Sequence, residues 1–66
     1  MLNQLVYPVH LIYLLEEERR ITTSIVIECQ TLIDAGSTNV DALIKIRDIA
    51  AQRGKDLNTQ LSELTD

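Results

Sequence analysis

The sequence predicts an all-α protein, a helical hairpin of two long antiparallel helices that associates into a homodimeric four-helix bundle. Apolar residues recur at helical spacing on both sides of Gly36, small and capping residues cluster around that glycine, and the chain has only 66 residues. A lone domain of this size buries about 60% of its unfolded surface and is marginally stable. We therefore expect residues 1–66 to form one helical-hairpin domain whose core is completed by a second copy.

The composition leaves association as the means of completing that core. The single cysteine, Cys29, cannot form an intramolecular disulfide, and with His10 as the only histidine a metal site is not expected. Hydrophobic residues make up 45% of the chain, and Phe and Trp are absent, so the core is aliphatic and suited to interdigitating helices. No cofactor is expected.

Charge and hydropathy bear on the partners. The net charge of -4 disfavours nucleic acid as a partner without excluding it. The apolar run at residues 1–15 is shorter than the roughly 20 residues of a membrane span, and it contains Pro8 and no basic leader. We expect a cytoplasmic protein that does not enter the membrane, and in that compartment a free thiol is usual.

The first helix is expected to cover about residues 8–35. Proline fixes its own φ and disfavours helix at the preceding residue, so Pro8 predicts the first turn and leaves residues 1–7 as an apolar lead-in. The apolar face keeps its phase across the charged segment 16–20, which predicts one helix of about seven turns. That face comprises Leu11, Leu14, Leu15, Ile21, Thr22, Ile25, Val26, Cys29, Leu32 and Ile33.

A strand is the alternative at residues 21–27. Six of these seven residues are β-branched, and the segment also alternates tolerably. No second strand-like run exists in the chain, so such a strand would have to pair with another molecule.

The turn is predicted at residues 36–39. Gly36 suits the left-handed position that follows a helix end, and Thr38 with Asp41 forms an S/T-x-x-D capping box. The second helix then covers about residues 40–64. Its apolar face opposes a polar face, and Gly54 allows a bend without a full break.

One segment of the second helix carries a family resemblance. Residues 46–61 resemble the helix-to-helix joint of ribbon-helix-helix DNA-binding proteins, and the matching positions are Ala50, Gly54, Leu57, Asn58 and Leu61. The resemblance implies a break between two helices, a short strand before the first of them, and contact with DNA.

No catalytic constellation is present in the sequence. His10 with Tyr13 and Glu17 reads as the flank of a helix near an interface, and Cys29 reads as a small buried hydrophobe. Glu18 is the one acid centred on the apolar face of the first helix. Because an unpaired buried carboxylate is costly, we expect Glu18 to contact Arg47 or Arg53.

Surplus apolar surface predicts the function. Val9, Ile12 and Tyr13 lie off the apolar face, so the first helix is apolar nearly all round at that point. We expect a small non-enzymatic protein that acts by protein–protein interaction, as a regulator, adaptor or assembly factor. The alternative is a nucleic-acid-binding regulator, through ribbon-helix-helix-like DNA binding or small-bundle RNA binding. The expected dimer or partner interface comprises Val9, Ile12, Tyr13, Leu15, Ile25, Cys29, Leu32, Leu43, Ala50 and Leu57. Of these, we expect Leu15, Ile25 and Leu32 of the first helix to form the core with Leu43, Ala50 and Leu57 of the second.

Overall fold

The chain forms an antiparallel helical hairpin. The structure, a computed structural model, describes the backbone of residues 2–65 and the side chains of residues 9–65. Helix α1 covers Leu2–Asp34, helix α2 covers Val40–Thr65, and the two helices pack against each other along a body of 54 × 14 × 14 Å. The predicted all-α hairpin is confirmed. The alternative of a strand at residues 21–27 is wrong, since α1 is continuous there.

The first helix begins earlier than predicted. α1 starts at Leu2 and passes through Pro8, its seventh residue, so residues 2–7 are helical instead of a lead-in. Proline disfavours a helical residue before it without forbidding one, and it removes a single backbone donor from the helix. The predicted start of the second helix matches Val40, and the two predicted ends differ from the observed ones by one residue, with α1 ending at Asp34 and α2 at Thr65.

The turn is a Schellman motif centred on Gly36. The Ser37 N–H donates to the Leu32 carbonyl at 3.1 Å, and the Gly36 N–H donates to the Ile33 carbonyl at 3.1 Å. Gly36 has a φ of +82°, as its predicted left-handed position requires. The first backbone bond of α2 runs from the Leu43 N–H to the Asn39 carbonyl at 3.0 Å, so Asn39 is the N-cap residue.

Helix α2 runs unbroken through Gly54, which lies against Thr22 of α1. A Cβ atom built on Gly54 would meet Thr22 Oγ1 at 3.8 Å, an ordinary van der Waals distance. The joint between two helices that the ribbon-helix-helix resemblance implies is therefore absent from Val40–Thr65. The resemblance is wrong about the fold, because one glycine in a helix interior costs only about 1 kcal/mol and packing against α1 offsets it.

Replacement by alanine should have opposite effects on stability at Gly54 and at Gly36. We expect Gly54→Ala to raise the free energy of unfolding by up to about 1 kcal/mol, since alanine is the better helix former and its Cβ fits. Gly36→Ala should lower it by about 1 kcal/mol, because an L side chain is strained at positive φ. Urea denaturation followed by circular dichroism, at one protein concentration, measures both. A shift in the same direction for both variants would contradict the assignment.

The core between the helices is narrow. Leu15, Thr22 and Cys29 of α1 are buried at intervals of seven residues, and Ala50 and Leu57 of α2 are buried at the same interval. The Thr22 hydroxyl is satisfied by donating to the Arg19 carbonyl at 2.8 Å. Leu57 is fully buried in a cluster whose members are Leu15, Leu57 and Leu61, with Leu11 and Ile12 packed against it.

Leu32 does not belong to this core. It was predicted to be buried, yet 49% of it is exposed. Near the turn, the side of α1 that faces α2 carries the buried Cys29 and, four residues later, the half-buried Ile33. Leu32 therefore lies on the flank of the helix pair. Ile25 and Leu43, also predicted as core, are half-buried.

Candidate interaction surface

One side of the hairpin carries a row of exposed apolar side chains. We call it the lateral apolar face and define it by Leu14, Ile21, Ile25 and Leu32 of α1 with Ile46 and Ile49 of α2. The α1 members follow one another at intervals of seven, four and seven residues, which keeps them on one side of the helix. Ile25, Ile46 and Ile49 line one open, almost entirely apolar groove together with Thr22, Ala50 and Arg53.

The members of this face are far more exposed than the core. Ile49 is 71% exposed, Leu14 is 61% exposed, and Ile21, Leu32 and Ile46 are close to half exposed. In α1 they arise because the apolar arc is broader than the strip that one neighbouring helix covers. α2 covers the middle of that arc at Leu15, Thr22 and Cys29 and leaves its edge in solvent.

The lateral apolar face contains one ion pair, between Glu18 and Arg53. The Arg53 Nε donates to Glu18 Oε2 at 2.6 Å, and Nη2 donates to Oε1 at 3.0 Å, which is the bidentate fork geometry. The Glu18 side chain is 42% exposed and the Arg53 side chain is 41% exposed. Of the two predicted partners, the structure selects Arg53. Arg47 instead donates to Gln30 Oε1 at 2.9 Å and pairs with Asp48.

The ion pair shifts the pKa of both groups toward their charged forms. The hydrogen bond from Arg53 lowers the pKa of Glu18 below its ordinary value, against a smaller opposing effect of desolvation. The same bond raises the pKa of Arg53. Since the Glu18 pKa is lowered on folding, the contribution of the carboxylate to stability is present above the ordinary glutamate pKa. It is lost as the pH falls through the lowered one.

The segment around Tyr13 presents a different surface. Val9 is 54% exposed and Tyr13 is 70% exposed, and His10 is exposed beside them. Ile12 is half-buried and packs against the leucine cluster, so it belongs partly to the core. Tyr13 precedes Leu14 by one residue and is therefore turned about 100° away from the lateral apolar face.

The predicted interface residues thus divide into three groups. Leu15, Cys29, Ala50 and Leu57 are buried inside the hairpin, Ile12, Ile25 and Leu43 are half-buried, and Val9, Tyr13 and Leu32 are exposed. The interface set named from the sequence omitted Ile46 and Ile49. Their signal was available in the spacing, since Ile46 lies three residues from Leu43 and four from Ala50, and Ile49 lies three residues from Ile46.

Within the part of the chain that the structure describes, no three His, Cys, Asp or Glu side chains are grouped so that they could hold a metal ion. Neither described helix combines the length and the apolar character that crossing a bilayer requires. Comparison with protein-family models, with curated proteins and with solved structures finds no match to this chain.

Proposed function

We propose that this chain is a small non-enzymatic protein that forms a homodimeric four-helix bundle and acts by docking on another protein, as a regulator, adaptor or assembly factor. The observation that carries the proposal is the lateral apolar face, on which Ile49 is 71% exposed and Leu14 is 61% exposed. An exposed apolar surface of this kind favours association. A cytoplasmic location, where a free thiol such as Cys29 stays reduced, is part of the proposal.

The exposed area supports self-association. The hairpin exposes 5208 Å², whereas a compact monomer of 7.5 kDa exposes about 4,200 Å². The excess of about 1,000 Å² is close to the roughly 800 Å² that each partner buries in a standard stable interface. The radius of gyration of 15.5 Å likewise exceeds the roughly 11 Å of a compact chain of this length.

The position of the apolar face supports a closed dimer. The face occupies one side of both helices, so two hairpins that meet through it form a bundle of four helices around one core. An isologous pairing uses the same face on both copies and leaves no second copy of it free for further growth.

A partner protein is proposed to bind at Val9 and Tyr13. Tyr13 is turned away from the lateral apolar face, so a dimer formed through that face leaves Tyr13 in solvent. Exposed tyrosine combines a large apolar ring with a hydroxyl, and tyrosines are enriched among the residues that dominate binding energy at protein interfaces.

An affinity pull-down from native cell extract tests the docking proposal. The wild type is compared with Val9→Glu/Tyr13→Glu, two exposed changes that spare the half-buried Ile12. We expect a protein partner that binds the wild type and is lost from the double variant, because two buried carboxylates each cost several kcal/mol at an interface. Sedimentation equilibrium at micromolar concentration should show both proteins as dimers.

Ile27→Glu is the control variant, since Ile27 is 59% exposed on the same helix and lies fourteen residues from Tyr13. It should retain the partner. Recovery of nucleic acid with all variants, in a salt-dependent manner, would overturn the proposal in favour of a nucleic-acid regulator. A folded monomer in the centrifuge would overturn the dimer.

A further inference from the structure

The Glu18–Arg53 ion pair divides the lateral apolar face into two parts that differ in apolar character. Ile21, Ile25 and Leu32 of α1, with Ile46 and Ile49 of α2, all lie between the Glu18–Arg53 pair and the turn. They form what we call the turn-side patch. The patch is the part of the face where both helices contribute exposed apolar side chains, and the open groove lies within it.

The other half of the same side is more polar. Gln60 follows Arg53 by seven residues and Glu63 follows Ile49 by fourteen, so both lie on the side of α2 that carries the patch. They line a second groove, which also includes Leu11, Leu15 and Leu64. A second copy therefore has a preferred orientation, because its own turn-side patch is the best complement for this one.

The ion pair is self-complementary as well. Its two hydrogen bonds use two of the five N–H groups of the Arg53 guanidinium and one acceptor site on each Glu18 oxygen. Both side chains keep about two-fifths of their surface in solvent, on the face that the second copy would cover. Unsatisfied donors and acceptors are costly once water is removed, so a partner must supply groups of opposite charge.

We propose that two copies pair about a two-fold axis parallel to the helices, with both turns at the same end and with each Glu18 against Arg53 of the partner subunit. This inference rests on the proposed homodimer and specifies its arrangement. The axis sets α1 of one copy opposite α2 of the other, so the turn-side patches meet. The two carboxylates and two guanidinium groups then alternate in one cluster, and a polar layer of this kind fixes the register of packed helices.

The opposite arrangement, with the turns at opposite ends, is less favourable on the same grounds. It sets α2 against α2, so with the ion pairs level Ile46 and Ile49 would face the polar half that contains Gln60 of the partner subunit. It also brings Glu18 opposite a second carboxylate when the ion pairs are level, and juxtaposed like charges cost several kcal/mol.

A distance measurement between the turns decides the orientation. Thr38 is exposed in the turn and takes a nitroxide label in the variant Cys29→Ala/Thr38→Cys, with Cys29→Ser/Thr38→Cys as a second background. Pulsed electron paramagnetic resonance should give a distance below about 30 Å, since packed helices lie 8–10 Å apart and the label tethers add the rest. A dimer with labels near the 54 Å length of the hairpin overturns the arrangement and leaves the dimer standing.

Charge exchange tests the cluster. Glu18→Arg and Arg53→Glu should each weaken self-association by at least about tenfold, and an equimolar mixture should form mostly the mixed dimer in native mass spectrometry. Asp48→Arg, on the outer surface, should leave association unchanged. A statistical mixture of dimers would show that the ion pairs do not meet across the interface. A wild-type protein that is monomeric in this experiment would contradict the proposed homodimer itself.

Discussion

Replacing Leu57 by alanine is expected to lower the free energy of unfolding by about 2–5 kcal/mol. Among the described residues, Leu57 is the one large side chain that is fully buried, and it packs in one cluster with Leu15 and Leu61. The truncation removes apolar contacts and leaves a cavity that the flanking leucines close only in part. Single domains have total stabilities of about 5–15 kcal/mol, so the change takes away a large fraction of the stability of so small a core.

Leu64→Ala is the matched control for this prediction. Leu64 lies seven residues further along α2 and is 36% exposed, so its truncation removes fewer contacts and should cost less than half as much. Denaturant unfolding at one protein concentration measures both variants, because the stability of a dimer depends on concentration. Equal losses for the two leucines would mean that the helices are packed in a different register.

Replacing Ile49 by glutamate is expected to dissociate the dimer. Ile49 is 71% exposed on the lateral apolar face, so the hairpin itself tolerates the change. In the dimer the same carboxylate would be buried without a partner, and such burial costs several kcal/mol. The dissociation constant should therefore rise by about 100-fold or more, and sedimentation equilibrium at micromolar concentration should find a helical monomer.

Ile27→Glu distinguishes this face from the other flank of the hairpin. Ile27 is 59% exposed and lines an open groove with Thr23, Ala51 and Lys55, away from the lateral apolar face. The substitution adds the same charge at another exposed isoleucine and should leave the dimer intact. Dissociation by Ile27→Glu alone would place the interface on that flank and would refute the assignment made from Ile49.

The helices and the turn could be predicted from the sequence because they depend on local chemistry. The phase of the apolar residues fixes a helix, and a glycine beside capping residues fixes its end, so Gly36 was placed correctly. The start of α1 was placed too late, because the effect of Pro8 on the preceding residue is a preference that the rest of the helix can outweigh.

The division between core and surface could not be predicted, because periodicity gives the direction of an apolar face and not the width that a neighbour covers. Leu32 and Cys29 share one predicted face, yet α2 buries only Cys29. The partner of Glu18 depended in the same way on the register of the two helices. Arg47 and Arg53 were equally eligible by charge, and the observed register places Arg53 beside Glu18 and Arg47 beside Gln30.

The Schellman turn also has a kinetic consequence. Contacts between the helices are nested around it, from Gln30–Arg47 at a sequence separation of 17 to Arg19–Asn58 at a separation of 39. If Arg19–Asn58 formed first, the whole loop between these residues would close in one step, at a larger entropic cost. If contacts form outward from the turn, each step orders only a few residues. Folding should therefore start at Gly36 and proceed rapidly, as in other chains dominated by local contacts. In the native hairpin, amide hydrogens in the last turn of α2 should exchange before those beside the fully buried Leu57.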